Sequence, residues 1–145
     1  MTAREFLRQS LNVKCKLDCR IERILELKDL AVRITPILKG VPTVSNTCQS
    51  KLETAVINLQ EQSEKLGDEV LKYLETRAKI ADSIMLVKDD NERLILEYRY
   101  LTFKKWRQIA EAMNVSLRKV YQLHDQALDS LEKIFDSESK CTKCS

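Results

Sequence analysis

The chain has 145 residues, a net charge of +3, two glycines and two prolines. That length accommodates one domain with an extension and not two large cores. So few turn-formers predict an all-α fold of long helices, and no apolar run approaches the roughly 18 residues a transmembrane helix needs.

Residues 3 to about 33 read as a first amphipathic helix, with Phe6, Val13, Leu27 and Ile34 alternating with Leu17, Ile24 and Ala31 on a seven-residue repeat that Arg20 interrupts. Pro36, Gly40 and Pro42 predict a break over 35–45, because proline lacks the donor a helix interior needs. Ser45, Asn46 and Thr47 then offer caps, and Gln49 follows Asn46 at capping-box spacing.

A second helix is expected over 47–87. Leu52, Leu59, Leu66, Tyr73, Ile80 and Val87 recur every seventh residue, with Val56, Val70 and Ile84 between them and Ser63 and Arg77 weakening the seam. A sustained heptad of this kind predicts a coiled coil. At ~1.5 Å per residue the helix is about 60 Å long. It needs a partner along that length, either the first helix folded back or the same helix of another copy. Residues 1–35 are net +3 and residues 46–87 net −2, which favours a hairpin. The first helix is shorter, so the uncovered part of the seam (Leu59, Leu66, Tyr73 and Ile80) is expected to pair two copies through residues 47–87. Residues 1–88 thus form a helical arm.

Lys88-Asp89-Asp90-Asn91 separates the arm from a head over 89–135. Asp90 or Asn91 caps a helix to Leu101, and Thr102-Phe103-Lys104 links it to a helix over 105–113. A last helix is expected over 116–135, and the polar remainder, 136–145, reads as a flexible tail.

The head carries the chain's most informative pattern. Ile109, Ala110 and Met113 share one helical face. Asn114 then falls where a tight turn requires positive φ, which asparagine tolerates. Ser116 is placed to cap a new helix, along which Val120, Leu123, Ala127, Leu128 and Leu131 continue the apolar stripe. Two helices joined this way form a helix-turn-helix. Outside on the second helix are Leu117, Arg118, Lys119, Tyr121, Gln122 and His124, and residues 98–124 hold six basic side chains against Glu111, net +5. A basic segment coincident with this motif is the electrostatic footprint of a double-stranded DNA binder.

The run from Ile95 to Leu131 resembles the fourth region of bacterial sigma factors. The residues that carry the resemblance, without a gap, are Leu96, Arg99, Tyr100, Ile109, Ala110, Met113, Val115, Ser116, Val120, Leu123, Ala127, Leu128 and Leu131. With its helical arm the whole chain resembles small sigma-region-four-like proteins of phages and prophages of Gram-positive bacteria, some of which are described as late transcriptional regulators. The resemblance implies that Ser116, Leu117, Arg118, Lys119, Tyr121 and Gln122 enter the major groove, and that RNA polymerase is a further partner. Arg118 would then fork onto guanine and Gln122 onto adenine, while Lys104, Lys105 and Arg107 would hold phosphates. Leu117 and Tyr121 depart from the family, which usually carries a basic residue at the first of these positions. No promoter-melting region is present, so an accessory regulator is expected rather than a whole sigma factor.

No enzyme is expected. His124, the single histidine, has no partnered nucleophile, and Gly40 and Gly67 do not form a phosphate loop. Trp106 reads as a core residue. Of the five cysteines, Cys141-x-x-Cys144 and Cys15-x-x-x-Cys19 have ligand-like spacing. Without a knuckle around them they read as free thiols in a cytoplasmic protein, with no metal and no cofactor. The competing reading is a phage assembly or packaging protein, or an interaction module, with an oligomerising coil.

Overall fold

The structure, a computed structural model, describes residues 1–39 and 46–142, with side chains over 1–33 and 50–142. The fold is all-α, and no strand occurs among the described residues. The helices are α1 (Ala3–Lys39), α2 (Asn46–Met85), α3 (Asp90–Leu96), α4 (Trp106–Met113) and α5 (Leu117–Cys141). A π-helical turn, Glu97–Leu101, continues α3. No helix among the described residues is long and apolar enough to cross a membrane.

Two differences from the sequence expectation concern helix ends. The first helix does not stop near residue 33: α1 runs to Lys39 with Pro36 inside its last turns. A proline there removes one backbone hydrogen bond, and the remaining turn carries on. The rest of the expected break, 40–45, lies outside the described residues, as do the side chains of Asn46 and Thr47. The segment expected to be a flexible tail is helical as far as Cys141, because the polar residues 136–141 keep helical propensity and simply extend α5.

The chain forms two compact units. One is Val13–Tyr73, where α1 and α2 run antiparallel: Arg20 reaches Gln62 and Glu69, while Leu27 and Leu30 line a cleft with Lys51, Thr54, Ala55 and Asn58. Leu17 and Ile24 are buried on α1, as is Ala55 on α2, and Leu52, Leu59, Leu66 and Tyr73 are half-buried. The heptad is therefore real, and of its expected companions Val70 is half-buried and Ile84 fully buried, but Val56 is not covered. Val56, expected in the seam, is 50% exposed, whereas Ala55, Gln62 and Glu69 face inward. Arg20 is the reason. Its guanidinium lies 2.6 Å from Gln62 Oε1 and 2.9 Å from Glu69 Oε1, so α2 turns its acceptors toward the cation that interrupts the α1 seam. The Arg20 guanidinium holds the Glu69 carboxyl below its ordinary value.

The other unit takes in residues 1–12 together with those from 74 onward. The helical head expected over 89–135 is thus larger than its sequence segment. Its core joins Ile95, Leu96, Tyr100, Ile109, Val120, Leu123, Ala127, Leu128 and Leu131 with Ala3 and Leu7 of α1 and Ile80, Ile84 and Val87 from the end of α2 and just beyond. Asp89 caps α3 by accepting from the backbone of Asn91 at 2.9 Å and of Glu92 at 3.1 Å, one residue ahead of the caps expected. Ser130 donates to the Glu92 carboxylate at 2.6 Å, tying α5 to α3.

Leu7 is fully buried in this core, far in sequence from the residues it covers. Leu7→Ala should therefore destabilise the head by roughly 2–5 kcal/mol, measured by urea unfolding followed through Trp106 fluorescence. A loss under about 0.5 kcal/mol, the range of ordinary surface changes, would mean that the N-terminal turns are not part of the head.

Candidate nucleic-acid interface

The α4–α5 connection follows from its residues. Lys105 opens α4 with its backbone N–H donating to Gln108 Oε1 at 2.9 Å. Asn114 ends α4 at φ 53° and ψ 42°, the left-handed conformation that its short polar side chain tolerates. Two residues on, Ser116 Oγ accepts from the Lys119 backbone N–H at 3.2 Å and caps α5. Ile109 and Val120, both fully buried, lie on the inner faces of the two helices. The result is a helix-turn-helix whose second helix begins one residue after its serine cap.

The residues expected to meet DNA separate into groups. Lys105, Arg107, Ser116, Arg118, Lys119 and Gln122 are all exposed. Leu117 is 37% and Tyr121 45% exposed, and the Tyr121 ring packs 5.3 Å from that of Trp106. Lys104 is half-buried, with its ammonium 4.2 Å from the centre of the Tyr98 ring. That cation–π contact gives Lys104 a role in the fold that its neighbour Lys105 lacks. Between Leu117 and Leu128 the one carboxylate on α5 is Asp125, exposed and 3.5 Å from the Arg4 guanidinium.

His124 does not belong to the outer face where the sequence placed it. It is 7% exposed, with Nε2 and the Tyr100 hydroxyl hydrogen-bonded at 2.9 Å. Trp106 packs edge-on against it at 4.8 Å between ring centres and is half-buried, as a packing role requires. The helical period explains the correction, since His124 follows Val120 by four residues and both therefore point inward. Sequence reasoning counted Arg99 among the basic residues and the matches to the sigma region, but not as packing: it covers the Trp106 ring at 4.5 Å and donates to the Lys104 carbonyl at 3.2 Å. Its spacing of seven residues from Trp106 was not a signal, because the pair meets across a turn.

No group of three ligating side chains able to hold a metal occurs among the described residues. Cys15, Cys19 and Cys141 are exposed thiols, and Cys144 lies outside the described residues. Nearby Cys15 pushes the Cys19 thiol up, away from the thiolate form a ligand or nucleophile needs.

Burial holds the His124 imidazole neutral, lowering its pKa from the ordinary 6.5 to about 4, with Arg4 and Arg99 adding to the effect and Asp125 opposing it. In this window the unfolded chain takes up a proton that the folded head refuses. The stability His124 contributes is thus complete above pH 6.5 and is lost as pH falls toward about 4. Unfolding free energies measured at several pH values should show this loss in the wild type and a smaller one in His124→Gln. Equal slopes in the two proteins would contradict the assignment.

Residues 12–133 are matched by the family model described as "Protein of unknown function (DUF722)". No curated protein and no solved structure matches the chain.

Proposed function

The chain belongs to the DUF722 family, and for this member of it we propose sequence-specific binding of double-stranded DNA by the helix-turn-helix of α4 and α5, in the service of transcriptional regulation. The observation that carries the reading is a set of exposed groups on a rigid turn. Arg118, Lys119 and Gln122 stand outward from the first turns of a serine-capped helix, and Lys105 and Arg107 flank them from α4. An α-helix fits the major groove, and Arg and Gln can each form paired hydrogen bonds to a base edge. The lysines and Arg107 suit phosphates, which position the helix without reading sequence. The resemblance to small phage regulators supports a phage or prophage origin, and it makes RNA polymerase the protein partner of the bound complex.

The arm supports pairing of two copies, though not through the seam expected. Leu59, Leu66 and Tyr73 are half-buried in the hairpin, and Ile80 is fully buried in the head. Exposed instead are Ile21, Leu25 and Val32, at helical spacing on α1, and Val56 on α2. Gly67 follows Val56 by eleven residues on the same face of α2, and a Cβ there would meet nothing within 4 Å. Residues 13–33 of α1 are net +2 and residues 50–73 of α2 net −2, so a two-fold pairing that sets α1 of one copy beside α2 of the other is electrostatically favoured. Such a dimer suits a helix-turn-helix, because two half-sites then add their affinities.

Two measurements test these readings. In titrations of a duplex library at two salt concentrations, Arg118→Ala or Gln122→Ala should lose about 1–3 kcal/mol on the preferred site and little on random DNA. Lys105→Ala or Arg107→Ala should weaken binding to all sequences alike. If the wild type binds no duplex at low salt, the head is a protein-docking module, as the assembly reading holds. In sedimentation equilibrium the wild type should have twice the monomer mass and Leu25→Glu/Val56→Glu the monomer mass. A wild type that is monomeric at micromolar concentration would contradict the pairing.

A further inference from the structure

The first turns of α1 are fixed against the head by contacts that the sequence did not announce. Ala3 and Leu7 are fully buried, the Ala3 backbone N–H donates to the Glu132 carboxylate at 2.6 Å, and buried Ser10 donates its hydroxyl to the Tyr100 carbonyl at 3.0 Å. Held in this way, the same turns present Arg4 and Arg8, one turn apart and both exposed. Arg4 lies 3.5 Å from Asp125, three residues beyond Gln122 and therefore about one turn further along α5. Four residues apart on one helix, Arg4 and Arg8 lie on the same face of α1.

The Arg4–Asp125 pair is 61% and 69% exposed at its two side chains. An exposed pair of this kind contributes little to stability, so it is cheap to break. What it does is electrostatic. Asp125 is the one carboxylate on α5 between Leu117 and Leu128, and left alone it would repel a phosphate backbone approaching that face. Arg4 neutralises it, and Arg8, which makes no ion pair among the described residues, adds a positive charge one turn along α1.

We propose that the first turns of α1 form a second phosphate-binding edge of the DNA interface, in which Arg4 exchanges Asp125 for a backbone phosphate and Arg8 takes a neighbouring one. The inference rests on the duplex-binding reading of α4 and α5. It extends the interface to residues at the opposite end of the chain, outside the 12–133 span of the family match. The edge holds the duplex and does not read it, since neither arginine is on the helix that enters the groove.

The test is fluorescence anisotropy with a labelled duplex carrying the preferred site, and with a random duplex, between 50 and 200 mM salt. The proteins are the full-length wild type, Arg4→Gln, Arg8→Gln, the double variant and Asp125→Asn. Each arginine replacement should lower the slope of log affinity against log salt by about one. Across that salt range one unit of slope is roughly a fourfold change in affinity. Both duplexes should weaken by the same factor, leaving the preference between them unchanged, and Asp125→Asn should tighten both. A double variant with the wild-type slope and affinity overturns the proposal while leaving the helix-turn-helix reading intact. A wild type that binds neither duplex at 50 mM overturns both. Because the substituted side chains are exposed, unchanged thermal melts confirm that the comparison is between folded proteins.

Discussion

A helix-turn-helix of some fifty residues has a small interior and is correspondingly marginal on its own, since small domains bury a modest fraction of their surface. The head of this protein meets that constraint by drawing apolar side chains from distant parts of the chain. Ala3 and Leu7 from the first helix, and Ile80, Ile84 and Val87 from around the end of the second, close the core over Ile95, Leu96, Ile109, Val120 and Leu131. Everything that gives α5 a fixed outward face depends on this borrowed core. The arm and the head are therefore not successive modules, because α1 and α2 each contribute to both compact units.

Polar groups inside that core set the orientation of its parts. Ser10 donates to the Tyr100 carbonyl, and the Tyr100 hydroxyl meets His124 on α5. A chain of hydrogen bonds thus links α1, the π-helical turn and α5. No buried side-chain nitrogen or oxygen among the described residues lacks a hydrogen-bond partner. An unpaired group would cost about 1–3 kcal/mol, so this satisfaction favours one packing over slipped alternatives. Above it, Arg99 on Trp106 and Lys104 on Tyr98 brace the segment leading into α4.

Local signals were legible in the sequence, and distant ones were not. Asn114 in the left-handed region and the Ser116 cap are where the spacing put them, because both answer to backbone chemistry within a few residues. The every-seventh series from Leu52 to Tyr73 likewise faces its partner helix. Of its companions Val70 and Ile84 are covered and Val56 alone is not, since the choice of Ala55 over Val56 depends on where Arg20 finds acceptors across the hairpin. The docking of Ala3 and Leu7 had no signal of its own: an apolar pair early in an amphipathic helix fits a hairpin as well as a head. His124 was misassigned because, as a polar residue, it was left outside the apolar stripe, although its four-residue offset from Val120 already pointed inward. On the candidate site, Arg118, Lys119 and Gln122 are as exposed as expected, while Lys104 is engaged by Tyr98 and Asp125 is answered by an arginine from the N-terminus.

The central claim is that the first turns of α5 enter a DNA groove. Backbone amide shifts of the labelled protein, followed as a duplex carrying the preferred site is added, test it most directly. The account predicts the largest changes at residues 105–107 and 116–122, a smaller set around Arg4 and Arg8, and none along the hairpin of Val13–Tyr73. Changes confined to the hairpin, or no change at saturating duplex, would contradict it.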